Sequence, residues 1–267
     1  MLSLIRAFFA PEGRYPACGM FTAAHLLAAA GCLLLAFTLA MTVGRRMSGK
    51  TLRRLALAVA VVLTALELLK IGHAFFSGRP APDAWIPLSF CSLFMASLWL
   101  YCFGRGLAQR AAAVYLTYAA PVAGLAFLVI PATSLMHYPI WHFLSVHSLS
   151  FHTLMLFFGL SLQLRAQRLD VRQYLSYAVL LLPCCLLATL LNHTLPANLM
   201  SLREPHNIPL APVQWLYAAA PQLYPLCVTL VYLAFPLAVA ALTGHLRRSG
   251  EEEASEEDSA PAQSQSL

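Results

Sequence analysis

Two side chains in this sequence are placed to do covalent chemistry. Cys91 follows Pro87 in Pro87-Leu88-Ser89-Phe90-Cys91, at the start of an apolar run. Proline suits the first turn of a helix, and the free N–H groups and partial positive charge of a helix start favour a thiolate. The spacing therefore predicts Cys91 just inside the outer end of a helix that opens at Pro87. His152 lies in Ser150-Phe151-His152-Thr153-Leu154-Met155, deep in another apolar run. It sits roughly 15 Å below the outer start of that run, where an unpaired polar group is costly. Acyl transfer needs a nucleophile, a base to remove its proton, N–H donors for the oxyanion and access for a long apolar chain. Cys91, His152 and the amides of the helix start could supply the first three.

A second set lies in the run 55–77. Glu67 falls near its middle, with Lys70 and His73 at successive turns, so all three fan over one side of a helix. Ionisable groups inside a membrane segment mark functional sites, but ion pairs also fix helix packing, and the pattern leaves both readings open. Eight of the nine histidines (His25, His73, His137, His142, His147, His152, His193, His206) fall in the outer loops or outer halves of apolar runs, and only His245 lies elsewhere. That skew suggests an outward-facing polar cavity. His142, His147 and His152 are spaced by five, about 140° apart around a helix, so they cannot share one metal ion. Only His147 or His152 with His73 and His193 could do so, and a zinc hydrolase ranks third among the function classes. A small-solute transporter or sensor using Glu67 and Lys70 ranks second, against which no inverted repeat is visible. No Gly-x-Ser-x-Gly elbow and no His-x4-Asp acyltransferase box is present, which excludes support for the common lipid hydrolases and glycerolipid acyltransferases. No cofactor is implied.

The elements that must hold these residues are membrane helices. The chain has 267 residues, is 60% hydrophobic and only 10% charged, and its mean hydropathy is +0.69. A soluble domain is about a quarter charged, so the composition excludes a soluble globular enzyme, a disordered protein and a disulfide-stapled scaffold. Seven apolar runs of about 20 residues match the roughly 30 Å hydrocarbon core. They are 20–43, 55–77, 87–103, 111–130, 143–164, 174–195 and 213–243. The expected fold is thus all-α, a polytopic bundle of seven transmembrane helices. The third run is short, and the last carries Pro221, Pro225 and Pro236, which predict kinks.

Arg45, Arg46, Lys50, Arg53, Arg54, Arg105, Arg110, Arg165, Arg168, Arg172, Arg247 and Arg248 occupy one set of alternate loops; the other set has only Arg6, Arg14, Arg79 and Arg203. The first set is expected in the cytoplasm, with the N-terminus outside and the C-terminus inside. The same bias makes the basic surplus a topology signal and not a nucleic-acid footprint. Residues 1–19 read as an interfacial segment, 20–245 as one membrane domain, and 246–267 as a disordered acidic cytoplasmic tail. Ala29-Ala30-Gly31-Cys32 resembles a lipoprotein cleavage site, but the apolar run continues past it. The cysteines other than Cys91 (Cys18, Cys32, Cys102, Cys184, Cys185, Cys227) lack zinc or disulfide spacing and read as packing residues.

Taken together, Pro87-Leu88-x-Phe90-Cys91, His152 in its apolar run, and Asn198-Leu199-Met200-Ser201-Leu202 followed by Pro205 resemble the YwaF-like integral membrane proteins, the family that includes transmembrane protein 164. The resemblance covers roughly residues 60–240 and is carried by the order and spacing of the motifs. It implies a lipid acyltransferase in which Cys91 takes up the acyl chain as a thioester and His152 serves it. Membrane lipids would be acyl donor and acceptor, in the plasma (inner) membrane if the source is bacterial. Candidate substrate contacts are Ser89 within the first motif, Glu67, Lys70 and His147, and the polar donors or orienting groups Asn192, His193 and Asn198.

Overall fold

A computed structural model describes residues 2–78 and 81–245. The expected acidic tail at 246–267 lies outside the described residues, as does Arg79. Among the described residues every regular element is a helix. In chain order they are α1 (Leu2–Phe8), α2 (Ala23–Thr42), α3 (Gly49–Phe76), α4 (Pro82–Trp85), α5 (Leu93–Phe103), α6 (Gly106–Val114), α7 (Ala120–Val129), α8 (Phe143–Gln163), α9 (Val171–Thr194), α10 (Ala211–Ala219) and α11 (Tyr224–Leu242). A five-residue π-helical stretch, Tyr115–Ala119, joins α6 to α7 into one rod.

Six helical segments among the described residues are long and apolar enough to cross a bilayer: Ala23–Arg46, Gly49–Phe76, Gly106–Met136, Phe143–Gln163, Val171–Thr194 and Tyr224–Leu242. The expected run 87–103 is helical only over the 11 residues of α5, too short to span a bilayer as a helix alone, although the chain from α4 through α5 still returns to the arginine-bearing end, where the Cys102 carbonyl accepts from Arg53. Its first residues are diverted by local chemistry. Pro87 has no N–H, and the Ser89 hydroxyl accepts the Ser92 N–H at 2.9 Å, closing a turn that delays the helix to Leu93. The run 213–243 breaks at Ala220–Leu223, around Pro221, into α10 and α11.

The α6–π–α7 rod and α8 form the centre, with 67% of each apolar window buried, against 17% for α2 and α11. Their close approach depends on two glycines. A Cβ on Gly159 would stand 2.6–2.7 Å from the Pro121 ring, and one on Gly124 would stand 2.8 Å from the His152 carbonyl. Small faces bring in the outer helices in the same way: Ala29, Ala36 and Ala40 of α2 and Ala56 and Ala60 of α3 are buried. The arginine-bearing loops gather at one end. There Arg165 donates to the carbonyls of Arg45 and Met47, Arg53 donates to the Cys102 carbonyl, and the Leu169 N–H donates to His245.

Candidate active site

The residues before α5 and the loop after α9 meet. The Met200 N–H donates to the Leu88 carbonyl at 3.2 Å, and the Asn198 N–H donates to Asp83 Oδ1 at 2.8 Å. The two outer sequence motifs are therefore one structural unit. The loop is held under backbone strain, since Met200 and Ser201 have φ of 54° and 52°, a left-handed conformation rarely adopted by side-chain-bearing residues. Asn192 over-determines it, its amide donating to the Leu199 carbonyl at 3.0 Å and accepting the Leu199 N–H at 2.7 Å.

Cys91 sits beside this junction, partly buried and free. It precedes α5, so the expectation that it lies inside a helix opening at Pro87 is corrected. The amides expected to serve an oxyanion are also engaged: Ser92, Leu93, Phe94 and Met95 donate to Ser89 Oγ, the Ser89 carbonyl, the Cys91 carbonyl and the Ser92 carbonyl. Three tyrosines surround the thiol's segment. Tyr115, in the π-helical stretch, donates its phenol to the Phe90 carbonyl at 2.6 Å. Tyr232 of α11 stacks on Phe90 at 4.0 Å and donates to the Met200 carbonyl at 2.8 Å. Tyr177 of α9 donates to the Tyr232 carbonyl at 2.7 Å. That carbonyl is free because Pro236, four residues on, has no N–H to give it. Pro121 likewise leaves the Thr117 carbonyl without its helical donor, and Gln163 supplies one at 2.9 Å. Both Tyr115 and Tyr232 lie within electrostatic range of Cys91.

His152 belongs to a different neighbourhood. Its ring stacks on Phe127 at 3.7 Å, and its Nδ1 lies 2.7 Å from the Ser148 carbonyl, which makes Nδ1–H the donor. Nε2 then carries a lone pair, and that atom is buried without a partner. His147, within electrostatic range of His152, has an unpartnered buried Nε2 as well. It is also in range of Glu67 and Lys70, which form an ion pair with Lys70 Nζ 2.6 Å from Glu67 Oε1. The buried Glu67, His147 and His152, with the partly exposed Lys70, thus make one polar cluster between α3 and α8. No hydrogen bond joins His152 to Cys91.

The remaining candidates are placed apart. Ser89 is a turn-closing residue, its hydroxyl also 2.7 Å from that of Ser92. Asn198 organises its own loop, donating to the Glu204 carbonyl and accepting the Arg203 N–H. His193 is exposed. His73 turns to the N-terminal segment, its Nε2 3.2 Å from the Phe9 carbonyl. Among the described residues no group of three or more His, Cys, Asp or Glu is arranged to hold a metal ion. Tyr115, Tyr177 and Tyr232 escaped sequence reasoning. The signal that could have found one of them is the proline four residues after Tyr232.

The long apolar helices and the buried polar groups between them define a multi-pass integral membrane protein. The chain belongs to the TMEM164 family, whose model matches residues 20–239. No curated protein and no solved structure matches it.

Proposed function

We propose that this protein is a lipid acyltransferase in which Cys91 carries the acyl chain as a thioester and His152 is the base. The observation that supports this reading most is the convergence of both outer motifs on one cysteine, held by phenols that each donate to a backbone carbonyl. In the first step the thiol loses its proton, sulfur attacks the carbonyl of a donor lipid ester, the C–S bond forms and the C–O bond breaks. The proton leaves with the released hydroxyl. In the second step an acceptor hydroxyl attacks the thioester, its proton returning to sulfur. His152 has the free lone pair such a base needs, since its Nδ1–H is fixed on Ser148 and Nε2 is unpartnered, but no hydrogen bond joins it to Cys91, so both transfers require a water or the substrate to bridge the two neighbourhoods. The N-terminus would face outward and the arginine-rich end the cytoplasm, with the protein in the plasma membrane if its source is bacterial.

The test uses the full chain in lipid vesicles with an alkyne-tagged acyl phospholipid. Cys91 should acquire a hydroxylamine-labile tag that Cys91→Ser abolishes. His152→Ala should slow alkylation of Cys91 by about tenfold, the lower range of what a positioned base contributes, and leave Cys102 and Cys227 unchanged. A Cys91 that labels no faster than Cys102 ends the nucleophile reading.

A further inference from the structure

Beside the polar cluster, the last three turns of α3 face a groove of about 550 Å³. That volume falls within the roughly 300–1,000 Å³ of sites that hold small ligands. Its lining is apolar: Leu68, Leu69, Gly72 and Phe76 of α3 form one wall, and Phe9 and Pro11 of the N-terminal segment form the other. His73 and Ser77 stand at its outer end. The second wall is held in place by a specific contact, since His73 Nε2 lies 3.2 Å from the Phe9 carbonyl, while His142 Nε2 lies 3.0 Å from that of Ala10.

We propose that this groove seats one acyl chain of a bilayer phospholipid, with its polar end at His73 and Ser77. Three observations point to that occupant. The groove opens on the flank of a helix long and apolar enough to span the bilayer, and its rim residues Leu68 and Phe76 are 64% and 95% exposed. In a membrane that flank meets lipid chains, not water. The groove runs from an apolar inner end to the imidazole and hydroxyl of His73 and Ser77 at the end of α3, which matches the change from chain to headgroup across a leaflet. Around the helix, the next side chain beyond His73 and Ser77 is Lys70, which is still one quarter exposed despite its Glu67 partner. A Cβ on Gly72 meets nothing within 4 Å, so a larger side chain at that position would project into open space along the groove.

The inference deepens the acyl-transfer reading by naming the seat of the lipid, and rests on it only for the fate of the chain. The experiment places the full chain in phosphatidylcholine vesicles containing a phosphatidylcholine with a diazirine on one acyl chain, and maps adducts after irradiation. Adducts should concentrate on the peptides around residues 68–76 and 9–11, relative to the lipid-facing Leu27 and Leu34 of α2. Gly72→Phe should lower the groove adducts by about fivefold or more and leave the α2 adducts within about twofold, as expected of a plugged site. If the Phe variant does not fold, Gly72→Leu should act in the same direction. Groove adducts no denser than those of α2, or unchanged by the plug, would overturn the proposal. Iodoacetamide labelling of Cys91 on the same samples separates the two readings: an inert Cys91 with intact groove adducts defeats acyl transfer and keeps the lipid seat.

Discussion

The two polar neighbourhoods of this protein treat their hydrogen-bonding groups in opposite ways. Around Cys91 each tyrosine hydroxyl is committed to a main-chain carbonyl, so Tyr115, Tyr177 and Tyr232 fix the segments they touch. Around His152 the side chains bury ring nitrogens that have no hydrogen-bond partner among the described residues, namely Nε2 of His147 and of His152. A buried unpaired polar atom costs about 1–3 kcal/mol, and a fold that carries two of them five residues apart on α8 has hydrogen-bonding capacity left for a ligand. The first region is a holder and the second a receptor. This division also explains why the motif residues Ser89, Asn192 and Asn198 are spent on turns and loop clamps: they shape the holder.

The comparison breaks most visibly at the one ion pair of the receptor side. Lys70→Leu leaves the Glu67 carboxylate buried without its cation, at about 3–5 kcal/mol, whereas the double change Glu67→Gln with Lys70→Leu removes the charge and should recover most of the folded yield. Yield from expression in membranes, read by size-exclusion chromatography, tests this. Equal yields for the single and double variants would show that the two side chains are not coupled.

A smaller effect separates holder from receptor directly. Tyr115→Phe should lower the thermal stability by about 1–3 kcal/mol, because the Phe90 carbonyl loses its only phenol donor inside the protein. His147→Leu should cost nothing or stabilise, since it removes a buried ring nitrogen that has no partner, while abolishing any function that depends on the cluster. Thermal unfolding of both variants in one detergent decides the matter. A His147→Leu loss as large as that of Tyr115→Phe would make the imidazole structural and erase the distinction.

Part of this was legible in the sequence. Apolar runs marked the helices, because a lipid-facing helix announces itself by composition, and alternating arginine content sorted the loops that gather around Arg165 and Arg53. The i, i+3 spacing of Glu67 and Lys70 placed their charges on neighbouring turns. What composition cannot encode is competition for the backbone. Whether α5 begins at Pro87 or at Leu93 is decided by the Ser89 hydroxyl and by Met200 claiming the Leu88 carbonyl, a contact with a segment more than a hundred residues away. The tyrosines were invisible for the same reason: Tyr115 and Tyr232 answer carbonyls of segments far along the chain, and Tyr177 answers the Tyr232 carbonyl that Pro236 leaves open.

The smallest effect concerns the outer end, where the N-terminal wall of the groove is fastened. His142 caps α8, and its ring stacks on Tyr138 at 4.2 Å. Burial pushes its pKa below the usual value near 6.5; the hydrogen bond to Ala10 opposes that shift, and the neighbouring His73 adds to it. The imidazole is therefore held neutral in the docked state. Once residues 9–12 detach and water reaches the ring, it takes up a proton more readily, so docking draws full support above about pH 6.5 and loses it as the pH falls through the depressed value. A second contact fastens the same wall, His137 Nδ1 lying 3.0 Å from Glu12 Oε1. The expected result is a modest fall in amide-exchange protection at residues 9–12 between pH 7 and about pH 5, after correction for intrinsic rates. His142→Gln keeps a donor for Ala10 and should flatten the dependence. A variant that retains the full pH response would show that its cause is not His142, and leave the His142 bond a fixed part of the wall.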